Sequence, residues 1–326
     1  MLEVVDPGLL ATIQDGGRPS YRHLGVPPSG AADAWGLAVA NLLAGAPVDA
    51  AAVEVTLGFT ELLVRETCLV ALGGVDLGAE ADDGRALAAA TAHRLPAGTR
   101  IRFAGAQRGL RAYLALAGGI ATERVLGSAA TFAPAGLGGI HGRALRAGDT
   151  LVPRRRGDLA GASLAWPSQL APHPASGTGP IRFVPGPDLR HLEPGADEAL
   201  AGATWRVAGA SDRMGLRLEG PPLPAGREIV SHGLVPGAIQ LPADGRPLVL
   251  LVDGPTVGGY PVVGVVPRAE LPRLGQLRPG DAVHLRAQAP DRARAAWREQ
   301  QARLARAADV LAADALWHGL ADHAGS

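Results

Sequence analysis

The sequence predicts a mainly β fold with a few helices. Short apolar runs recur along the chain, and turn residues separate them, since the 326 residues include 45 glycines and 27 prolines. Short runs bounded by turns are typical of strands. Their frequent spacing favours barrels or sandwiches over a doubly wound sheet. The runs that we interpret as strands are residues 61–64, 68–72, 100–103, 112–116, 181–184 and 247–252.

Two segments have a helical pattern instead. The first spans about 31–45, and Gly45 provides a stop signal at its end. The second spans about 290–312 and is rich in alanine and arginine. Large apolar residues recur in it every seven positions, namely Trp297, Leu304 and Leu311. That stripe predicts an amphipathic helix that packs against a barrel or a partner.

Composition excludes several classes of function. The formal net charge is zero, so nothing favours nucleic acid or an anionic membrane as a partner. The sequence has no lysine, which rules out a P-loop lysine, a Schiff base and a biotinyl-lysine within it. No His/Cys spacing suggests a metal site. Cys68, the single cysteine, lies in an apolar run and is expected to be a buried structural thiol. With no signal-peptide pattern and no long apolar stretch, we expect a cytoplasmic protein.

A short internal echo leaves two interpretations open. Residues 145–152 (L-R-A-G-D-T-L-V) and 277–285 (L-R-P-G-D-A-V-H-L) share a turn that leads into an apolar strand, and residues 95–103 are a looser copy. The echo indicates either two related halves or a common turn that recurs by chance. Between the first two copies, residues 153–180 are rich in Pro, Ser, Gly and Ala and predict a linker.

A first group of polar residues lies near the N-terminus, in D-P-G-L-L-A-T-I-Q-D-G-G-R-P and H-L-G-V-P-P-S-G-A-A-D. Glycines and prolines predict a tight loop there, across which Asp15 and Arg18 can pair. His23 is the best general acid or base among the histidines, because imidazole suits proton transfer near neutral pH. Ser29 is placed to cap the following helix, and a helix N-terminus beside Gly30 also suits an anion.

A second and denser group lies between Ser211 and Pro261. Strand ends and tight turns let several backbones converge on one small ligand. Arg213 can hold a carboxylate or phosphate with two hydrogen bonds. Tyr260 offers a ring face to a small planar ring. Gln240 either faces a ligand or satisfies a hydrogen bond inside a barrel. The polar residues of this segment are Asp212, Arg213, Glu228, Ser231, Gln240, Asp253, Thr256 and Tyr260.

Both groups, together with G-L-R-A-Y-L-A-L-A-G-G-I (109–120) and the V-L-G-S that follows it, resemble the KipA family. Members of this family are also known as the C subunit of 5-oxoprolinase, allophanate hydrolase subunit 2 or biotin-dependent carboxyltransferase. The resemblance covers about residues 1–288 and implies two cyclophilin-like β-barrel domains. The domain bounds that it implies are 1–165 for the first barrel, 166–180 for a linker, 181–288 for the second barrel and 289–326 for a C-terminal helix and tail.

The resemblance also implies a function. A chain of this kind is the C subunit of a bacterial ATP-dependent 5-oxoprolinase, which acts with an A-like subunit and a B-like (KipI-like) subunit to convert 5-oxo-L-proline to L-glutamate. ATP with Mg²⁺ is the implied cofactor, bound by this chain or with the partner subunit. The implied catalytic residues are His23, Asp253 and Asp15. The implied substrate- or anion-binding residues are Gln14, Arg18, Ser29, Asp212, Arg213, Ser231, Gln240, Thr256, Gly259 and Tyr260.

Two alternatives stay open on the sequence. One is a biotin-dependent carboxyltransferase of the urea carboxylase kind, for which biotin has to arrive on another chain because this sequence contains no lysine. The other is a non-catalytic, KipA-like binding partner of a KipI-like kinase inhibitor.

Overall fold

A computed structural model describes residues 1–105, 108–154, 165–167, 179–189, 192, 195–224 and 229–313. Most of the predicted linker, the tail beyond residue 313 and Glu228 lie outside these ranges. The chain divides into two compact units, one within residues 1–18, 29–173 and 302–326 and the other within 19–28 and 174–301. The domain bounds expected from the sequence stay predictions. No helix in the described ranges has the length and apolar character needed to cross a membrane.

The first unit contains two antiparallel five-stranded sheets, with strand orders β10-β1-β4-β8-β6 and β2-β3-β9-β5-β7. Their strands are β1 (Leu2–Asp6), β2 (Leu10–Gln14), β3 (Ala52–Thr56), β4 (Glu61–Val64), β5 (Cys68–Gly74), β6 (Ala79–Ala81), β7 (Thr91–Leu95), β8 (Arg100–Phe103), β9 (Arg111–Leu116) and β10 (Thr150–Leu151).

One apolar core takes side chains from both sheets, including Val4 of the first and Ile13 of the second. The second sheet is also covered on its other face, where α1 (Ala34–Leu43) packs on Ala71 and Tyr113. A sheet covered on both faces needs continuous apolar runs instead of alternation. This explains why every residue of β3 and β9 is buried. Cys68 is buried in the core between the sheets, as expected for a structural thiol.

The second unit is a closed seven-stranded barrel, with strand order β11-β18-β15-β16-β13-β12-β19 and a parallel pair between β11 and β19. Trp205 and Phe183 fill its core. A separate two-stranded ribbon pairs β14 with β17. The strands of this unit are β11 (Ile181–Pro185), β12 (Thr204–Val207), β13 (Gly215–Glu219), β14 (His232–Gly233), β15 (Ala238–Gln240), β16 (Leu248–Leu250), β17 (Val257–Gly258), β18 (Val262–Val265) and β19 (Ala282–Ala287).

The mainly β fold is therefore confirmed, and each of the six runs taken as strands overlaps one. The first unit departs in detail from the expected barrel, because its described strands form two sheets around a shared core. The short α2 (Ala196–Gly202) and α3 (Leu271–Leu274) belong to the second unit.

Helix α1 begins later than the sequence indicated. Its N-cap is Asp33, whose side chain accepts a hydrogen bond from the Gly36 backbone amide at 2.8 Å. The expectation that Ser29 caps this helix is therefore wrong. Ser29 precedes the first helical residue by five positions and has a left-handed backbone, with φ of 52°. The predicted stop at Gly45 is confirmed. Gly45 follows the C-cap in the left-handed conformation, with φ of 65°, and its amide donates to the Leu42 carbonyl.

The predicted C-terminal helix is confirmed as α4 (Pro290–Ala313). The residues of its apolar face have different environments. The Cζ atom of Arg268 lies over the Trp297 ring, 5.9 Å from the ring centroid. Ala307 and Leu311 are buried in the cluster that α1 forms in the first unit.

The internal echo has a matching geometry. In the turn before β10, the Arg146 amide donates to Asp149 Oδ2 at 2.8 Å, and before β19 the Arg278 amide donates to Asp281 Oδ2 at the same distance. The glycine between each pair has a left-handed backbone, with φ of 90° at residue 148 and 89° at residue 280. The repeated sequence thus encodes the same turn twice, which both interpretations allow.

Candidate functional site

Several predicted binding residues of the second unit meet around the ribbon of β14 and β17. The Gln240 Nε2 atom donates to the Tyr260 carbonyl at 3.4 Å. A Cβ atom at Gly258 would lie 3.1 Å from Gln240 Nε2, and one at Gly259 would lie 3.2 Å from Ser231 Oγ. Only glycine leaves this space open. The structure therefore brings together an amide, a hydroxyl and an exposed tyrosine around a narrow glycine segment.

An ion pair in the same unit joins two further predicted residues. Arg213 Nε donates to Asp253 Oδ2 at 2.7 Å, and the Nη2 atom lies 3.4 Å from Oδ1. The Asp253 amide also donates to the Arg213 carbonyl at 3.1 Å. Both side chains are buried, so the pair fixes the end of β16 to the turn before β13. Asp253 orients the guanidinium that we expected to bind an anion.

The neighbours of this pair have different environments. Asp212 Oδ1 accepts from the Met214 amide at 2.7 Å, which closes the turn that presents Arg213. Thr256 is buried, and its carbonyl accepts from the Leu234 amide at 2.8 Å. Asp212 thus shapes the backbone, while Thr256 anchors the loop between β16 and β17.

Sequence reasoning missed Asp188 near this ribbon. Its Oδ2 atom accepts from the Val262 amide at 2.8 Å and lies 3.2 Å from His232 Nε2. The histidine stands opposite Gly258 in the pairing of β14 with β17. The P-G-P-D turn after β11 was the available signal, because a carboxylate that follows such a turn is placed to accept backbone hydrogen bonds.

In the first unit, Asp15 organises a buried turn. Its carboxylate accepts from Ser128 Oγ at 2.6 Å, from the Ala129 amide at 2.6 Å and from the Gly17 amide at 2.8 Å. Ser128 belongs to the V-L-G-S segment that carried part of the family resemblance. These donors give Asp15 a structural task, and its catalytic role stays a prediction.

Arg18 is also buried, and it contacts backbone carbonyls. Its Nη2 atom donates to Ala130 and its Nε to Val125 at 3.3 Å. The expected pairing of Arg18 with Asp15 is not among these contacts. The Arg18 guanidinium thus holds backbone around the V-L-G-S segment. An anion bound to Arg18 would share the guanidinium with these carbonyls.

Two other predicted residues of the first unit carry buried polar atoms that lack a hydrogen-bond partner. Gln14 donates through Nε2 to Thr12 and to the Thr131 carbonyl, but its Oε1 has no donor. Ser29 Oγ is likewise buried and without a partner. Buried polar atoms are ordinarily satisfied, so these two atoms are suited to a bound ligand group or a water molecule.

His23 has a different environment from these buried groups. It is exposed on the short 3₁₀ helix Pro19–Leu24, which belongs to the second unit. The preceding Arg22 is half-buried, and desolvation lowers the pKa of its guanidinium. The role of His23 as acid or base stays a prediction.

A further buried network was missed entirely. Glu54 on β3 accepts from the Tyr113 hydroxyl at 2.7 Å and from the Ala32 amide at 3.0 Å, and it pairs with Arg111 Nε at 3.4 Å. The same hydroxyl accepts from the Asp33 amide at 2.8 Å. Burial, followed by the charge of Glu54, raises the pKa of Tyr113 well above its usual value. The signal was a charge inside each of two apolar runs, V-E-V and R-A-Y.

The described residues do not suit a resident metal ion. Among them, no group of three or more His, Cys, Asp or Glu side chains could hold one.

Comparison with known proteins identifies relatives over most of the chain. The family model for the carboxyltransferase domain, subdomain A and B, matches residues 24–287. The C subunit of Escherichia coli 5-oxoprolinase is 36% identical over 293 residues, which cover 87% of this chain and 90% of the relative. The urea amidolyase of Lachancea kluyveri is 33% identical over 304 residues, which cover 86% of this chain but only 16% of that longer protein.

Solved structures agree with the fold. The crystal structure of the Kluyveromyces lactis urea amidolyase matches 94% of this chain with a TM-score of 0.85 at 28% identity, although the match covers 20% of that protein. The crystal structure of TTHA0988 matches 87% of this chain with a TM-score of 0.78 at 34% identity and covers 56% of that chain. The resemblance drawn from the sequence motifs is thereby confirmed.

Proposed function

Because the chain belongs to the carboxyltransferase domain, subdomain A and B family, we propose that it is the C subunit of a bacterial ATP-dependent 5-oxoprolinase. The observation that carries the proposal is the similarity to the corresponding Escherichia coli protein over nearly the full length of both chains. In this proposal, an A-like and a B-like (KipI-like) subunit act with this chain in the cytoplasm to open the lactam of 5-oxo-L-proline to L-glutamate.

The site around β14 and β17 suits a small cyclic amide. Tyr260 offers an exposed ring against which a five-membered lactam can pack. Ser231 and Gln240, on either side of the glycine segment, supply a hydroxyl and an amide for the polar edge of the lactam. Arg213, oriented by Asp253, is suited to the substrate carboxylate. Asp253 and His23 are our candidates for proton transfer.

Bound ATP supplies the energy for breaking a resonance-stabilised amide. The chain has no lysine and the described part has no acidic cage, so we assign the nucleotide and its Mg²⁺ to a site held with a partner subunit. The role of this chain is then to bind and orient the substrate.

A second candidate function is carboxyl transfer from biotin to an amide nitrogen. The description of the matching family as a carboxyltransferase domain favours it, as do the urea amidolyases among the relatives. In that case biotin arrives on another chain. The Arg213 site would accept a carboxyl group in transit instead of a substrate carboxylate.

The test is 5-oxoproline-dependent ATP hydrolysis by this chain combined with its A-like and B-like partners. We expect turnover well above that of the partners alone. His23→Ala and Asp253→Asn are expected to lower the rate by about 10²-fold or more, which is the range of a lost acid or base. The same mixture with urea and a biotinylated carrier measures the second candidate.

Matched controls keep the result specific. His284→Ala removes another exposed histidine of the same unit, and Asp244→Asn neutralises an exposed turn carboxylate. Both should retain the wild-type rate. If the full mixture is no faster than the partners alone, the 5-oxoprolinase proposal is wrong. If the full mixture is active but His23→Ala and Asp253→Asn keep the wild-type rate, their catalytic assignment is wrong. The chain would still be a subunit of the enzyme.

A further inference from the structure

The second unit also has a cavity whose walls contain no residue of the ribbon of β14 and β17. Its volume is about 680 Å³, and residues from β11, α3, β19 and the start of α4 form its walls. The lining residues are Gly179, Pro180, Arg182, Arg273, Arg286, Ala287, Gln288, Ala289 and Arg292. Four of the nine are arginines, and none is acidic or aromatic.

Two of these arginines are held in place by one buried carboxylate. Glu270 pairs with Arg182 Nε and with Arg273 Nη1, the latter at 2.8 Å. Arg273 also donates to the carbonyls of Gly179 and Pro180. The Glu270 side chain is 2% exposed, so it orients both guanidiniums from behind the wall and does not occupy the cavity mouth.

The other two arginines have no such counter-charge. Arg286 is the penultimate residue of β19, Arg292 lies in the first turn of α4, and both are exposed. Neither has an ion pair within the described ranges. Four arginines against one carboxylate leave three positive charges around one concavity. The helix start adds backbone N–H groups of the same polarity.

We propose that this arginine pocket binds a phosphate-bearing small molecule. Guanidinium forks match the oxygens of a phosphate with two hydrogen bonds each, and convergent like charges in a concave wall concentrate an anion. The cavity exceeds the size of a phosphate ion, so the ligand has an organic part. Gln288, half-buried in the wall, is suited to its hydroxyl groups.

The arrangement differs from an ordinary solvated surface. Exposed arginines on one face of a helix reach water independently, and they need no buried acid to orient them. Here Glu270 fixes two guanidiniums on elements remote in sequence from α4. The site uses none of the residues assigned to the proposed function, so either can fail without the other.

The experiment is calorimetric titration of the whole protein at low salt with inorganic pyrophosphate, fructose 1,6-bisphosphate and malonate. We expect the two phosphate probes to bind and malonate to bind at least about tenfold more weakly. The double variant Arg286→Ala/Arg292→Ala should lose at least about tenfold in affinity, because each charge-assisted hydrogen bond is worth that much or more. The double variant Arg286→Lys/Arg292→Lys, which keeps the charge, should recover part of the loss.

The matched control is Arg298→Ala/Arg306→Ala, which removes two exposed arginines from the same helix outside the cavity. It should bind the probes as the wild type does. The proposal is overturned if neither phosphate probe binds at millimolar concentration, if malonate binds as tightly as the phosphates, or if the control variant loses as much affinity as the pocket variant.

Discussion

Each unit contains a buried acid–arginine pair, and the two pairs have different surroundings. In the first unit, Glu54 and Arg111 are 1% and 3% exposed, and Tyr113 is completely buried beside them. In the second, Arg213 and Asp253 are 8% and 6% exposed. The side chain of Met214, next to Arg213, is 44% exposed. The first pair is enclosed by a sheet and a helix, whereas the second lies just below the surface.

This difference in exposure distinguishes the structural pair Glu54–Arg111 from the pair that we place in the candidate site. Glu54 accepts from the Ala32 amide just before α1 and from the Tyr113 hydroxyl, which in turn accepts from the Asp33 amide. These contacts fix the position of the helix. The Arg213–Asp253 pair fixes a turn whose neighbours include exposed side chains. Burial alone ranks the Glu54 network first, whereas the Arg213–Asp253 pair is slightly more exposed and lies next to the exposed Met214.

The largest expected effect follows from breaking the enclosed pair. Glu54→Ala removes the carboxylate that pairs with the buried Arg111 and the acceptor for the Tyr113 hydroxyl, so we expect a loss of about 3–5 kcal/mol in the free energy of unfolding. Urea unfolding followed by circular dichroism measures it. Glu80→Ala, which removes an exposed carboxylate of β6 in the same unit, should change stability by less than about 0.5 kcal/mol. Equal losses in both variants would contradict the structural role.

A smaller stability effect is expected for the pair near the surface. Asp253→Asn removes a charged hydrogen-bond partner of Arg213, and we expect a loss of about 1.5–3 kcal/mol. Because this pair is less completely buried than Glu54 and Arg111, the loss should be smaller than that of Glu54→Ala. The two variants are compared in the same urea series, with Asp244→Asn as the control. A larger loss in Asp253→Asn than in Glu54→Ala would reverse the comparison.

The smallest effect is expected for the loss of the Tyr113 hydroxyl, which leaves the charge of Glu54 in place. Tyr113→Phe leaves the Asp33 amide without its acceptor and should cost about 1–3 kcal/mol. The raised pKa of Tyr113 adds a pH dependence. The folded state holds the phenol proton more tightly than the unfolded state. This contribution is therefore present below pH about 10 and is lost as the pH rises above it.

Stability measured between pH about 8 and about 11 should fall more steeply in the wild type than in Tyr113→Phe. Burial raises the pKa of Cys68 and adds a fall of the same sign, but Cys68 is present in both proteins, so the difference between the two slopes isolates Tyr113. Parallel slopes would show that Tyr113 is not buried as a neutral phenol.

The predicted elements succeeded where local pattern determines structure. Runs such as 61–64 and 100–103 became strands with the predicted bounds, because apolar runs between turn residues have few alternatives. The start of α1 failed, because Ser29 and Asp33 are both good caps by residue type. Only the position of the helix on the sheet chose Asp33, whose backbone amide bonds to Tyr113.

For the site, residue type identified candidates but not their partners. The sequence alone determined the mainly β class, the family-like motifs and the absence of lysine, since these depend on local pattern and composition. Tertiary structure decided that Arg213 pairs with Asp253, that Glu54 is buried against Tyr113, and that four arginines from separate elements line one cavity. Such contacts join residues far apart in sequence, and the side-chain period of a strand fixes only a face, not the group opposite it.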